Sequence, residues 1–156
     1  MKAVIDWQMK RFGWRVEPEW VVQTSGIITA IKTIIQAFSS SGDSILIQPP
    51  VYAHFRDDVL LTGRFPVDAP RVRTENGYRF DPQVFEDAIQ PNTSIFILSN
   101  PHNPTGNVWR EDELHMMGEI CARHGIWVIA DEIHQDLILN MTTKHIPFAS
   151  LGEAFA

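Results

Sequence analysis

The chain has 156 residues, enough for one domain with a real core and short for a two-domain enzyme. Apolar residues at 44% and charged residues at 21% exclude a disordered or fibrous chain. The net charge is −6 with no cluster of Lys and Arg, which argues against a nucleic-acid surface, because neutralising phosphates requires grouped cations.

In chain order, the opening segment places Val4, Ile5, Met9 and Phe12 at helical spacing, and Gly13 is a stop signal. Glu17-Pro18-Glu19 breaks the chain before a short apolar run at 20–22. Thr24-Ser25-Gly26 then precedes a helix in which Ile27, Ile28, Ile31, Ile34, Ile35 and Phe38 share one broad face. SILIQ, starting at Ser44, reads as a buried strand ended by Pro49-Pro50, and a helix is expected over 52–61. A further strand falls at 65–67, and Asn76-Gly77 signals a hairpin between Val72 and Phe80. Asp81-Pro82 has the form of an N-cap and first-turn proline for a helix reaching Gln90. TSIFILS, ending at Ser99, and IWVIA, ending at Ala130, are continuous apolar runs, as expected of parallel strands covered on both faces. An amphipathic helix ended by Gly125 separates them, and no internal repeat occurs. Strands alternating with helices imply an α/β fold, a three-layer α/β/α arrangement with a mostly parallel sheet. A single cysteine, Cys121, leaves no internal disulfide and reads as a small buried apolar residue. No apolar run reaches the ~20 residues that cross a bilayer, and the first residues lack the apolar block of a signal peptide. The expectation is a cytoplasmic protein without membrane or nucleic-acid partners.

Ligands of such sheets bind outside the carboxyl ends of the strands, where three polar clusters fall. The bare amides that open the helix after Thr24-Ser25-Gly26 could hold a phosphate, or Thr24 or Ser25 could simply cap the helix. No Walker or GxGxxG pattern is present. NPHNPTG, after TSIFILS, is either a plain turn or a mount for a side-chain amide aimed at one ligand oxygen. DEIH, after IWVIA, is the sharpest signal, because an aspartate at a buried strand end is desolvated unless it meets a cation or several donors. Asp131 could grip a protonated ring nitrogen, with His134 on a neighbouring oxygen and a helical turn placing both on one side. Asp131, Glu132, His134 and Asp136 could instead hold a metal, or Asp131 could be an N-cap beside a solvated histidine. Tyr52 is a stacking platform or an ordinary core or rim residue. The remaining histidines have no spacing that joins them into a site. Trp7, Trp14, Trp20, Trp109 and Trp127 read as packing.

Taken together and in order, SGII, QPPVY, NPHNPTG and ADEIH resemble the class I/II aminotransferase family of fold-type I enzymes dependent on pyridoxal 5′-phosphate (PLP). The pattern is most similar to the cystathionine β-lyase-like C–S lyase branch. The resemblance implies PLP as cofactor, its phosphate on the amides of Gly26 and Ile27 with Ser25 beside them. It implies Tyr52 stacked on the ring, Asn103 on the phenolic oxygen and Asp131 on the pyridine nitrogen. His134 stands where many aminotransferases carry tyrosine, which favours the lyase branch. The family's Schiff-base lysine lies beyond the pyridinium aspartate in a Ser-Lys-type motif, and Lys144 lacks that context and reads as a surface lysine. No catalytic residue is therefore assigned within the chain, and no metal. Residues 1–156 are expected to be part of the PLP-binding large domain, an internal piece lacking the N-terminal arm, the Schiff-base lysine region and the C-terminal domain. The implied activity is α,β-elimination from substrates such as cystathionine, giving a thiol, pyruvate and ammonia, with the piece inactive alone. An aminotransferase, or a non-catalytic PLP-binding piece, is the alternative. The expected partners are a small amino-acid substrate and, for the full-length family, a second copy in a homodimer.

Overall fold

The computed structural model describes residues 1–140, 142–152 and 155. Its helices are α1 (Lys2–Phe12), α2 (Ile27–Phe38), α3 (Ala53–Leu61), α4 (Pro82–Asp87) and α5 (Glu111–Arg123). Its strands are β1 (Ser44–Ile47), β2 (Phe65–Asp68), β3 (Val72–Thr74), β4 (Gly77–Arg79), β5 (Thr93–Ser99) and β6 (Trp127–Asp131). Four strands form one parallel sheet in the order β2-β1-β5-β6, while β3 and β4 form a separate antiparallel hairpin.

The alternation of side chains along a strand builds two cores from one sheet. Leu46, Phe96 and Leu98 point to one face, where Phe85 of α4 and Leu114, Met117 and Cys121 of α5 cover them. Ile45, Ile47, Ile95 and Ile97 point to the other, under Ile31 and Ile35 of α2 and Phe55 and Val59 of α3. This is the expected α/β/α layering. Phe96 is fully buried in the first core, and burial of such a side chain contributes about 1.5–3 kcal/mol. Cys121 is buried as expected, and the apolar surroundings push its thiol up to about 12.

Asp81 caps α4 as predicted, its Oδ1 accepting from the Gln83 and Val84 amides at 3.1 and 3.4 Å, but the helix stops at Asp87 rather than Gln90. Thr74 pairs with Gly77, so the hairpin turns on Glu75-Asn76, one residue earlier than expected. Gly13 ends α1 in the left-handed conformation, φ 70°, its amide donating to the Met9 carbonyl. The apolar face proposed for α1 does not face the core: Val4 and Met9 are exposed and Gln8 is the buried residue. Polar contacts hold this helix, with Trp7 Nε1 and Arg11 Nε both donating to Asp136 and Gln8 to Gln135. The reading of all five tryptophans as packing is likewise corrected. Trp109 is buried, but Trp7, Trp20 and Trp127 are exposed, Trp127 on an outer strand against Phe38 at 5.2 Å between ring centroids.

Candidate functional site

The register of the two central strands builds the site. Ser99 pairs with Asp131 at the carboxyl ends of β5 and β6, and the Asn100 amide continues the pairing by donating to the Asp131 carbonyl at 2.9 Å. Both polar motifs thus leave the sheet side by side. Ile27, Tyr52, Asn103, Asp131 and His134 line one cleft of about 350 Å³, which Ile28, Ser99 and Ile133 complete. Five of the seven sequence-predicted residues meet there. Ser25 and Gly26 do not line it; they lie immediately before Ile27, the residue that brings the start of α2 to the cleft.

At α2, no side chain caps the helix, and the Thr24 hydroxyl donates to the Gly26 carbonyl instead. Simple capping by Thr24 or Ser25 is therefore not what is found. The opening amides have no intrahelical partner, and the helix dipole adds positive character to them. Gly26 is the N-cap in extended backbone, and a Cβ there would meet nothing within 4 Å.

Asp131 accepts the Ile133 amide at 3.2 Å, so the capping geometry weighed for it is present within a turn at 133–136. That turn, not a helix, brings His134 back to the cleft. Burial raises the Asp131 carboxyl above its ordinary range, a desolvation that the Ile133 amide and His134 only partly offset. A cation against the carboxylate would reverse the shift. The metal alternative fails because its members turn elsewhere: Glu132 Oε1 accepts from Asn100 Nδ2 at 2.9 Å and the Phe148 amide at 2.8 Å, and Asp136 holds Trp7 and Arg11. Among the described residues no group of three or more His, Cys, Asp or Glu could hold a metal ion.

Asn103 is half-buried, and its backbone amide donates to Ser99 Oγ at 3.0 Å. Ser99 Oγ donates onward to the Pro101 carbonyl. Tyr52, the N-cap of α3, presents a ring supported by Phe55 at 5.8 Å and His54 at 5.0 Å. A second cleft of about 570 Å³ shares Asn103 and His134 and is otherwise mostly apolar, with Val108, Leu137 and Ile138 on its wall.

Sequence reasoning missed several contributors. Ser99 was signalled only as the last residue of its strand. Buried Asn100 ties Glu132 to the Ile146 carbonyl. His102 is buried beneath the turn, its Nε2 2.9 Å from the Pro50 carbonyl and its ring 5.5 Å from Trp109. Burial, with the Arg71 charge nearby, holds His102 down to about 4, so it is neutral at ordinary pH. The cleft as a whole offers unpaired amides, an aromatic face, a side-chain amide and a desolvated carboxylate. That set fits a flat, protonated heteroaromatic ring carrying an anionic group.

Comparison with known proteins agrees with this chemistry. The sequence pattern of the family "Aminotransferase class I and II" matches residues 2–153. The cystathionine beta-lyase PatB of Bacillus subtilis is 41% identical over 155 residues, 99% of this chain and 40% of that protein. An aspartate aminotransferase of Geobacillus stearothermophilus is 32% identical, covering 90% of this chain and 35% of its own length. Cystalysin from Treponema denticola, whose crystal structure contains pyridoxal 5′-phosphate, superposes with a TM-score of 0.94 at 29% identity, over 99% of this chain and 39% of that one. The chain thus spans two fifths or less of the length of each of these proteins.

Proposed function

The chain belongs to the class I and II aminotransferase family, and from that premise we propose that its cleft is the non-covalent half of a PLP site in the large domain of a C–S β-lyase. The observation that carries this reading is the meeting of Ile27, Tyr52, Asn103, Asp131 and His134 in one cleft. In the proposed arrangement the amides opening α2, next to Ser25 and Gly26, take the phosphate. Tyr52 covers one ring face, Asn103 donates to the phenolic oxygen, and His134 stands beside that oxygen. Asp131 accepts from the protonated ring nitrogen and keeps the proton there, because a buried carboxylate is stabilised by an adjacent cation. Bound in this way, PLP supplies an electron sink for the carbanion formed at the α-carbon of an amino acid.

The protein's own part is binding and orientation. None of the four lysines lines the cleft: Lys2 pairs with Asp6, Lys10 is exposed in the last turn of α1, Lys32 pairs with Asp58, and Lys144 faces a separate pocket beside Arg11 and His145. In the whole protein the proposed reaction is β-elimination from an S-substituted amino acid, carried out by a cytoplasmic homodimer. The match to an aspartate aminotransferase keeps transamination as the second reading. Release of pyruvate from cystathionine by the whole protein separates the two, since transamination releases none from that substrate. No helix among the described residues is long and apolar enough to cross a membrane.

Titrating PLP into the purified chain tests the cofactor reading. Saturable binding is expected, weakened about tenfold or more by Asp131→Asn, because a hydrogen bond to a charged group is worth about 1.5–3 kcal/mol. Absence of saturable binding, or a borohydride-reducible adduct on Lys144, contradicts it.

A further inference from the structure

Arg71 lies between β2 and β3, outside every motif, yet it is only 5% exposed. Burying a guanidinium is costly unless its donors are used, and desolvation lowers Arg71 to about 10 while leaving it charged at neutral pH. Its side-chain bonds run to one place. Nη2 donates to Thr105 Oγ1 at 2.6 Å and to Asn107 Oδ1 at 3.2 Å, both in the turn that carries Asn103. The guanidinium carbon lies 5.1 Å from the centre of the Tyr78 ring and 5.3 Å from that of Trp109. Those aromatic neighbours join the same turn: Asn107 Nδ2 donates to the Tyr78 carbonyl at 3.0 Å, and Trp109 Nε1 donates to the Ser99 carbonyl at 2.7 Å. Ser99 in turn receives the Asn103 amide. The segment that follows Asn103 is therefore held by Arg71, and the segment that precedes it by a residue against which Arg71 stacks. Among the described residues Arg71 Nε and Nη1 have no partner, so the buried charge is not spent on a carboxylate of its own.

We propose that Arg71 is a positioning residue for Asn103, holding the turn at 101–107 so that the Asn103 amide points at one ligand oxygen. The inference rests on the reading of the cleft as a PLP site, where that oxygen is the phenolic one. Loss of Arg71 then weakens the contact to that oxygen and leaves the phosphate and ring-nitrogen contacts in place.

The test compares the affinity of the purified chain for PLP with its affinity for 3-deoxypyridoxal 5′-phosphate, which lacks only the phenolic oxygen. The wild-type chain should prefer PLP by about tenfold, the worth of one good hydrogen bond. Arg71→Met and Asn103→Ala should each reduce that preference several-fold, and Arg71→Met should add nothing in the Asn103→Ala background. Thr105→Val, which removes one of the two Arg71 bonds, should reduce it partially and serves if Arg71→Met does not fold. Equal weakening of both ligands by Arg71→Met or Thr105→Val overturns the inference, since packing alone predicts that result. A preference lost in Asn103→Ala but kept in the Arg71 and Thr105 variants overturns it while the cofactor reading stands. If the wild-type chain binds neither ligand, both fall.

Discussion

The two walls of the cleft are built in opposite ways. The wall at 99–107 rests on buried side chains: Trp109 beneath Ser99, Arg71 against Thr105 and Asn107, and His102 against the Pro50 carbonyl. The wall at 24–28 has no such support, with an uncapped helix start, exposed Ser25 and Gly26, and open space where a Gly26 side chain would lie. The difference follows from what each wall presents. A side-chain amide has rotatable bonds, so the backbone that carries it must be held. Backbone amides already point along α2, which Ile31 and Ile35 lock onto the sheet. Substitutions should therefore cost stability on the first wall and very little on the second.

The largest effect is expected from Trp109→Ala, which empties a buried site and removes the bond to Ser99. Urea unfolding should show a loss of about 3–5 kcal/mol. A loss below 1 kcal/mol would mean that the turn stands without Trp109. Next comes a pH effect from His102. Its folded value near 4 lies below the 6.5 of an exposed histidine, so its contribution is complete above pH 6.5 and drains away as pH falls towards 4. Fully counted, that interval is about 3 kcal/mol. Asp131, whose folded value is raised, acts in the opposite sense, its contribution being present at low pH and lost as pH rises through the folded value. Comparing the wild-type chain with His102→Gln cancels the Asp131 effect. The variant should lose less stability between pH 6.5 and 4, and parallel profiles would count against a buried neutral His102.

A smaller effect contrasts two helix starts. Asp81→Ala should cost about 1 kcal/mol by uncapping α4. Ser25→Ala, before the uncapped α2, should stay within about 0.5 kcal/mol, as should Gly26→Ala, whose extended φ and open surroundings accept a methyl. A loss above 1 kcal/mol at either position would show that these residues support the second wall after all.

Much of the scaffold was legible in the residues. TSIFILS stands out because a strand buried on both faces is apolar through its middle. IWVIA, expected to be covered in the same way, leads into the outer strand β6, where only Ile129 is buried. The parallel register then carries Ser99 and Asp131 to the same sheet end. The motifs after those strands identify Asn103, Asp131 and His134 for the same reason. The supporting residues were not legible. Arg71 meets Thr105 and Asn107 across 34 and 36 positions, and His102 meets Pro50 across 52, so no local spacing announces them. Glu132 looked like a possible metal ligand beside Asp131, but its partners Asn100 and Phe148 lie on other segments. The apolar spacing of α1 misled because polar bonds to Gln135 and Asp136 decide which way that helix faces. Trp127 misled because an outer strand leaves part of its side chains uncovered.

In the proposed binding mode PLP lies between the start of α2 and Asp131, held without a covalent bond. Amide resonances of the isotopically labelled chain during a PLP titration test it most directly. Saturable shifts are expected at Ile27, Ile28 and the Asn103 side-chain amide, together with Ile133, whose amide donates to Asp131. Shifts confined to the pocket that Lys144 shares with Arg11 and His145 would contradict it, as would no saturable shift at all.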